Sequence, residues 1–317
     1  MEHKKISTLH KWFLKYFNRP AYKAYKESYR KAMERKNDAL HLKKLEEDFV
    51  AATKQLPHRL PQAHTGPVRM KHSGNAGDTI YALPAMLALA AGNPLQISLH
   101  TNQPIDNKTL NHPLGNIMLN SRMVELLKPL LLHQPQIAAV TEYKGEAIDY
   151  DMDVFRNYNF YLDKGSIVHW YFWVHGVSYN TSLPWLTAPI DEQFHHTIVI
   201  ARSQRYRSPL IDYGFLKKYD TLLFLGLEDE YREMKDVIPH LMYKPVADFL
   251  EMATIINSCQ LFIGNQSFPF ALAEALKVKR LLEVHYLAPN VVTEGQGANE
   301  FMYQPQFEYA VGRLLAS

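Results

Sequence analysis

The feature that most constrains the fold is the alternation of short apolar strands with helical segments. Predicted strands at Val68–His72, Leu95–His100 and Ile137–Val140 are separated by predicted helices at Asp78–Ala91 and Ile117–Leu127. Two parallel strands need a crossover connection of about a dozen residues, and this spacing provides one. The segment therefore predicts parallel βαβ units, with helices covering the faces of the sheet.

A second series of the same kind follows the region Pro184–Phe194, which we interpret as a domain boundary. Its predicted elements are strands at Thr197–Ala201, Thr221–Gly226, Gln260–Gly264 and Arg280–Val284, and helices at Phe215–Lys218, Asp229–Lys235, Val246–Asn257 and Pro269–Leu276. The predicted fold class is α/β, with two Rossmann-like domains facing a cleft. We place these domains at residues 63–188 and 189–317, after a basic helical extension and linker at residues 1–62.

The extension is helical and strongly basic. Lys11 to Lys54 lacks glycine, and its only proline predicts a break at Arg19-Pro20 between a short and a long helix. Residues 1–45 hold thirteen Lys and Arg against four Asp and Glu, a net +9, although the whole chain carries only +3. Pro57 to Pro67 reads as a linker. The aromatic and basic faces fit a helix docked on the protein, an anionic membrane surface or, without any base-reading motif, nucleic acid.

Composition limits the class of protein. The chain has 317 residues, of which 47% are hydrophobic and 21% charged, as in soluble globular proteins. A single cysteine, Cys259, excludes an internal disulfide framework and a multi-cysteine zinc site. No apolar run approaches the roughly 20 residues of a spanning helix, and no signal peptide is evident. We expect a cytoplasmic protein, soluble or peripheral at the inner face of a membrane.

The first loop of chemical interest reads HSGNAGDTIYALP, from His72 to Pro84. It lacks the Lys-Ser/Thr pair of a Walker A loop and the spacing of a GxGxxG loop. Glycines let a backbone approach a ligand closely, and the helix that follows offers free N–H groups to an anion. Asp78 stands at the start of that helix. Taken alone, this loop favours a helix cap over a catalytic role.

Two later loops also follow predicted strands, at the edge where open α/β sheets bind ligands. The loop ARSQRYRSP places Arg202, Arg205 and Arg207 together, and guanidinium groups suit phosphate oxygens. The stretch FIGNQSFPFALAEAL, from Phe262 to Leu276, places short polar side chains before a helix with proline in its first turn. Both loops predict an anion site. Glu274, inside that helix, fits either an exposed helix position or a ligand of a ribose diol.

Together the three loops resemble a known family. HSGNAGDTIYALPAM looks like the N-terminal glycine-aspartate loop of the heptosyltransferase-like glycosyltransferases of family 9, and FIGNQSFPFALAEALKVKRLLEV is similar to their C-terminal signature. The similarity covers roughly residues 68–89 and 197–284. It implies the GT-B architecture and an inverting, metal-independent transfer of a sugar from a nucleotide-sugar donor to a glycan-type acceptor, with no cofactor.

The resemblance also implies roles for individual residues. Asp78 matches the catalytic aspartate, which would take the proton of the acceptor hydroxyl. The residues that match the donor-binding positions lie in all three loops: Asn75, Gly77, Arg202, Ser203, Arg205, Arg207, Asn265, Gln266, Ser267 and Glu274. Gly74 and Gly77 would make room for substrate.

Some residues depart from the family pattern. Gln266 replaces an aspartate and Phe268 a glycine, so the donor need not be ADP-heptose. The stretch IDYDMDVFRN contains the DxD form of metal-diphosphate sites, at Asp149–Asp151 and Asp151–Asp153, which we interpret as acceptor-side or structural and not as a metal site. Two alternatives stay open: a nucleotide- or glycan-binding protein of this fold without catalysis, and a glycosyltransferase that modifies nucleic acid. The partners expected are a nucleotide-sugar donor and a glycan or lipid-linked glycan acceptor.

Overall fold

A computed structural model describes residues 6–55, 63–105, 112–157 and 165–316 of the chain. These residues divide into two compact units. One is a helical unit, residues 6–55, and the other is an α/β unit that holds the remaining described residues.

The helical unit consists of α1, Thr8–Phe17, and α2, Arg19–Gln55. Ser7 caps α1, since its side-chain oxygen accepts a hydrogen bond from the backbone N–H of His10 at 3.2 Å. The predicted break at Arg19-Pro20 is confirmed, because one helix ends and the next begins there with Pro20 in its first turn. Most of the predicted linker, residues 56–62, lies outside the described residues.

The first sheet of the α/β unit has four parallel strands in the order β3-β2-β1-β4. Its elements are β1 Val68–His72, α3 Ala76–Ala90, β2 Leu95–Leu99, α4 Ser121–Leu132, β3 Ile137–Glu142, β4 Tyr150–Asp151 and α5 Ile167–His175. The predicted helix at Ile117–Leu127 was placed too early. Asn120 caps α4 by accepting from the N–H of Met123 at 2.9 Å, so the helix begins at Ser121.

The second sheet has six parallel strands in the order β10-β9-β8-β5-β6-β7. Its elements are β5 Ile198–Ala201, β6 Leu222–Phe224, α6 Glu228–Val237, β7 Met242–Tyr243, α7 Phe249–Ser258, β8 Leu261–Asn265, α8 Phe268–Leu276, β9 Arg280–Glu283, β10 Ala298–Phe301 and α9 Gln304–Ala316. Every residue of β5, β8 and β9 is buried, as expected of parallel strands with helices on both faces. The predicted helix at Phe215–Lys218 is a 3₁₀ helix at Gly214–Lys218.

Both sheets have a doubly wound strand order, in which the first strand lies inside the sheet beside the fourth. These pairs are β1 with β4 in the first sheet and β5 with β8 in the second. The order of the strands reverses between β1 and β4 in the first sheet, and between β5 and β8 in the second. Loops that leave the carboxyl ends of such strand pairs form the ligand crevice of this fold class. The three loops singled out from the sequence leave β1, β5 and β8, so all of them lie at these positions.

The helices α3 and α8 join the two halves of the α/β unit. A Cβ atom on Gly77, in the first turn of α3, would lie 3.7 Å from Phe268 Cα at the start of α8. Behind this contact the indole N–H of Trp185 donates to the carbonyl of Ile80 at 3.1 Å, deep in the core. The first turns of both helices are therefore neighbours. No described helix is long and apolar enough to cross a membrane.

Candidate active site

Asp78 lies in the first turn of α3, where one of its two carboxylate oxygens is held by the protein. Its Oδ2 accepts from the backbone N–H of Asn75 at 3.2 Å and from Arg156 Nη2 at 3.1 Å. Within the described parts of the chain, Oδ1 has no hydrogen-bond partner. The side chain is 20% exposed. One carboxylate oxygen is therefore anchored, and the other is available to a substrate hydroxyl.

Asn75 adds a second unsatisfied oxygen beside this carboxylate. Its side-chain Oδ1 is buried and has no partner among the described residues, while its Nδ2 lies 3.4 Å from Asp78 Oδ2. A buried carbonyl oxygen without a donor costs free energy, which a ligand hydroxyl could relieve. This is consistent with a substrate-binding role for Asn75.

Gly74 is required by the packing around the ion pair. A Cβ atom at this position would overlap Arg156 Nη2, and it would lie 2.7 Å from His72 Cε1 and 2.8 Å from Asp78 Cβ. The sequence predicted that Gly74 makes room for substrate. In the structure the space is occupied by Arg156, which reaches α3 from the 3₁₀ helix that follows β4.

The carboxylates of the DxD stretch are paired with cations of the first sheet. Asp149 accepts from Arg69 Nη2 at 3.1 Å, and Asp151 lies 2.7 Å from the ammonium of Lys71. Asp153 accepts from the backbone N–H of Ser73 at 2.9 Å. Burial alone would raise the pKa of Asp153, but His72, the Ser73 N–H and Arg156 outweigh this and lower it. These contacts support the structural interpretation of the stretch.

A buried polar chain supports the loop from below. His72 is fully buried; its Nε2 lies 2.8 Å from the hydroxyl of Tyr171, and its Nδ1 is 3.1 Å from Thr79 Oγ1. Burial is the main cause of a lowered His72 pKa. Tyr171 belongs to the aromatic run at residues 169–175, interpreted from the sequence as core, and it is fully buried. The imidazole thus orients the loop through hydrogen bonds.

On the second sheet, Asn265 holds the arginine loop in place. Its side chain is fully buried at the end of β8; Nδ2 donates to the carbonyls of Ser203 at 2.9 Å and Arg205 at 2.6 Å, and Oδ1 accepts from the N–H of Ser203 at 3.0 Å. Both hydrogens of the Asn265 amide thus donate, and its oxygen accepts one hydrogen bond and keeps one lone pair unused. Asn265 therefore shapes the arginine loop, and a direct contact with a nucleotide-sugar donor does not follow from this geometry.

The three arginines of that loop have different surroundings. Arg202 pairs with the buried Glu283, with Nε–Oε2 at 2.7 Å, and Arg207 donates to Glu233 at 2.5 Å and to the carbonyl of Ser203 at 3.0 Å. Arg205 has no carboxylate within 4 Å in the described structure. The sequence predicted a phosphate role for all three, and only Arg205 has a guanidinium free to take it.

Gln266 and Glu274 are also engaged with protein groups. Gln266 donates to the carbonyl of Ala288 at 2.6 Å and accepts from the N–H of His285 at 2.8 Å. Glu274 is 2% exposed; it accepts from Arg280 Nε at 2.5 Å and also pairs with Lys277. These contacts explain why a carboxylate can be buried inside α8. They do not support the predicted contact between Glu274 and a ribose.

Ser267 caps α8 at the end of the β8 loop. Its hydroxyl donates to the carbonyl of Asn265 at 3.1 Å, which orients the side chain. Pro269 occupies the first turn, so the N–H groups of Phe268 and Phe270 are those left for a ligand. Gly77 of α3 packs beside this helix end, as described above. The helix start that the sequence predicted is present, and its contact with a phosphate stays a prediction.

His112 is a site residue that the sequence did not reveal. It comes from the loop after β2, and burial lowers its pKa to about 4, helped by the positive charge of Arg205 and opposed by Asp78. The charges of Arg205 and Asp78 thus shift the pKa of this imidazole in opposite directions. Nothing in the spacing of the fifteen histidines marks this one.

Other contributors could have been noticed from the sequence. Glu283 is one of two charged residues, with Arg280, in the predicted strand Arg280–Val284, and a charge in a buried strand is a signal for a buried partner. Arg156 follows Asp153 by three residues, and a cation so close to the DxD carboxylates is a further argument against a metal site there. Among the described residues, no three His, Cys, Asp or Glu side chains are grouped so that they could hold a metal ion.

No protein-family model and no curated protein matches the sequence. Among solved structures, the Escherichia coli heptosyltransferase WaaC with ADP is 9% identical, covers 78% of this chain and 99% of its own, and gives a TM-score of 0.53. E. coli ADP-heptose LPS heptosyltransferase II is 10% identical, with coverages of 80% and 99% and a TM-score of 0.43. A family 9 glycosyltransferase from Veillonella parvula is 13% identical, with coverages of 80% and 90% and a TM-score of 0.42.

The likeness to WaaC confirms the fold expected from the sequence. The α/β unit has two Rossmann-like sheets arranged as in the GT-B heptosyltransferases.

Proposed function

We propose that this protein is an inverting glycosyltransferase, which moves a sugar from a nucleotide-sugar donor to the hydroxyl of a glycan-type acceptor. One observation carries the proposal. An aspartate with one carboxylate oxygen unbonded, Asp78, and an arginine without a carboxylate partner among the described residues, Arg205, lie on loops at the strand-order reversals of two joined doubly wound sheets. The WaaC structure, which has this fold, holds ADP.

The reaction follows from the chemistry of these groups. The acceptor hydroxyl oxygen attacks the anomeric carbon, the bond from that carbon to the diphosphate oxygen breaks, and its electron pair stays on the diphosphate. Asp78 Oδ1 takes the hydroxyl proton. Arg205 and the N–H groups at the start of α8 stabilise the charge that develops on the diphosphate, as fixed cations and helix ends can do without a metal.

Arg156 has a positioning role in this scheme. It holds Asp78 Oδ2 by a charge-assisted hydrogen bond, so that the free oxygen Oδ1 keeps one orientation. Burial alone would lower the pKa of Arg156, but Asp78, Tyr171 and Asp153 raise it, so the guanidinium stays charged throughout.

The partners proposed are a nucleotide-sugar donor, a glycan or lipid-linked glycan acceptor, and an anionic membrane surface for the N-terminal helices. A cytoplasmic, peripheral location is part of this proposal.

The donor half is tested by nucleotide binding. Thermal shift with UDP, GDP, ADP and CMP should show stabilisation by at least one, because a ligand of the native state raises its melting temperature. Arg205→Gln should weaken that nucleotide by roughly tenfold or more, whereas the matched change Arg232→Gln, on the exposed face of α6, should not. Equal affinities in the two variants would remove Arg205 from the donor site.

The catalytic half is tested with Asp78→Asn. Release of free nucleoside diphosphate from the sugar nucleotide should be lost, while nucleotide affinity stays near that of the wild type. Unimpaired turnover would exclude Asp78 as the base. Nucleotide binding without turnover by the wild-type protein, over a panel of donors and glycan acceptors, would favour the binding-protein alternative. Inversion is read from the anomeric coupling of the product, and metal independence from unchanged turnover in EDTA.

A further inference from the structure

The short helix α1 exposes an apolar stripe. Its members are five large side chains with the spacing i, i+3, i+4, i+7 and i+8, which places them on one face of a helix: Leu9, Trp12, Phe13, Tyr16 and Phe17. All are exposed, from 55% for Phe13 to 82% for Leu9. Within the helical unit, α2 packs on the opposite face, where the ammonium of Lys11 lies 5.6 Å from the centre of the Tyr25 ring. The stripe is therefore not covered by α2.

The rings of the stripe form a continuous surface. Trp12 and Tyr16 have ring centres 4.9 Å apart, and Phe13 and Phe17 stack at 5.2 Å. Large apolar side chains gathered on one exposed face mark an interaction site, because removing their apolar surface from water is favourable.

The charge around the stripe has a single sign. Residues 6–26 contain five Lys and Arg and no Asp or Glu. Farther along α2 the cations have partners, for example Lys31 with Glu27 at 2.9 Å. Lys15, Arg19 and Lys23 have no carboxylate within 4 Å in the part of the chain that the structure describes. The sequence around the aromatic stripe therefore carries positive charge that no described carboxylate pairs with.

The apolar stripe and the nearby cations together favour one of the partners that could bind this surface. A second copy would bring another five cations and no carboxylate within residues 6–26, so the two faces would repel each other. Nucleic acid would pair with the cations but leave the apolar face of α1, with Leu9 at its edge, in water. An anionic bilayer satisfies both, since apolar side chains enter the acyl boundary while Lys and Arg meet the phosphates.

We propose that α1 lies in the plane of an anionic membrane surface, with its stripe in the acyl boundary and Lys15, Arg19 and Lys23 at the headgroup phosphates. This anchoring is independent of glycosyl transfer. The same helix would hold the enzyme at the surface where a lipid-linked acceptor resides, and that consequence alone rests on the proposed function.

The test is co-sedimentation of the full-length protein with vesicles of phosphatidylcholine alone or mixed with phosphatidylglycerol. We expect binding to the anionic vesicles only, weakening as salt rises. Trp12→Gln with Phe13→Gln should lower the partition coefficient by at least about tenfold. The matched control, Leu40→Gln with Leu42→Gln, removes two equally exposed apolar side chains from α2 and should leave it unchanged.

A charge pair tests the headgroup contact separately. Lys15→Gln with Arg19→Gln should lower the partition coefficient on the order of 30-fold, since each cation near an anionic surface contributes about fivefold. Lys44→Gln with Lys54→Gln makes the same change roughly 35 Å or more along α2 from Arg19, several Debye lengths away, and should have little effect. Lys15→Arg, which keeps the charge, should bind like the wild type.

Several results would overturn the proposal. One is binding to neutral vesicles as strong as to anionic ones. Another is an equal fall of the partition coefficient in a test variant and its control. A third is tighter binding to DNA than to anionic vesicles. Displacement from vesicles by inorganic phosphate at constant ionic strength would also overturn it, because it would indicate a free-anion site. Transfer to a soluble acceptor should continue in all the α1 variants, so failure of the anchor and failure of the proposed reaction are distinguishable.

Discussion

The buried pair of Arg202 and Glu283 allows a quantitative prediction about the arginine loop, residues 201–209. Glu283 is fully buried and Arg202 has 12% of its side chain exposed, so their attraction is not screened as it is at a surface. Glu283 Oε1 accepts from Arg202 Nη2 at 2.8 Å and from the N–H of Ser208 at 2.7 Å. Its Oε2 accepts from Arg202 Nε and from the hydroxyl of Tyr213 at 2.9 Å. One carboxylate thus serves four donors.

Glu283→Gln removes the charge but keeps the volume. Arg202 is then a buried cation without a counter-charge, which costs about 3–5 kcal/mol. For a domain of this size, about 2–4 °C is lost per kcal/mol, so the melting temperature should fall on the order of 10 °C. The guanidinium cannot escape this cost by losing its proton, because arginine is not deprotonated in proteins.

Adding Arg202→Met to Glu283→Gln should restore part of the loss. The glutamine oxygen can still accept from Ser208, and its N–H₂ can donate to the Tyr213 hydroxyl, so no cation and few polar groups are left unpaired. We expect a recovery of at least about 1 kcal/mol in urea denaturation, and a coupling energy well above that of independent sites. A single variant that loses less than about 1 kcal/mol, or a double variant that loses the sum, would refute the assignment of Glu283 as the anchor of the loop.

Three further predictions concern the first sheet. Arg156→Met should lower kcat at least about tenfold with unchanged nucleotide affinity, because the Asp78 carboxylate loses a charge-assisted hydrogen bond; steady-state rates at saturating donor measure this. Gly74→Ala should cost about 1–3 kcal/mol in thermal unfolding, while Gly66→Ala, where nothing lies within 4 Å of the new Cβ, should cost little. Burial lowers the pKa of His175 in the folded protein to about 4, so the unfolded chain takes up a proton at higher pH than the folded one. The free energy of unfolding should therefore fall by up to about 3 kcal/mol as pH drops from about 6.5 to about 4. This fall should be smaller in His175→Phe.

The sequence predicted the long elements of the α/β unit because their apolar runs are distinctive. The strand at residues 260–264 and the helix at 269–276 are entirely apolar or nearly so, and both are present. The strands that were missed are short or polar: β4 and β7 have two residues each, and β10 reads ANEF. Such segments have no periodicity to detect, and they become strands because a neighbouring strand offers backbone hydrogen bonds.

The candidate site was predicted at the level of loops, but not of side-chain partners. All three loops lie where the strand order reverses, as parallel topology requires. Which arginine of residues 202–207 remains free depends on Glu283, 81 residues from Arg202. The ion pair of Arg156 with Asp78 joins residues 78 apart. Contacts at such separations depend on the three-dimensional packing of two strands, which local patterns do not encode.

The two glycines of HSGNAGDTIYALP show how packing and chemistry meet in one loop. Gly74 lies against Arg156, which comes from the 3₁₀ helix after β4, and Gly77 lies beside Phe268 at the start of α8. A side chain at Gly74 would overlap Arg156, so the need for glycine there is explained before any substrate binds, whereas a Cβ atom at Gly77 would make only ordinary van der Waals contacts. Asp78 is held between the two contacts, with Oδ2 anchored from the first sheet and its helix packed on the second. The orientation of its free oxygen relative to Arg205 is therefore set by the join between the sheets, and a substitution that moves α3 against α8 should impair transfer even though it touches neither residue.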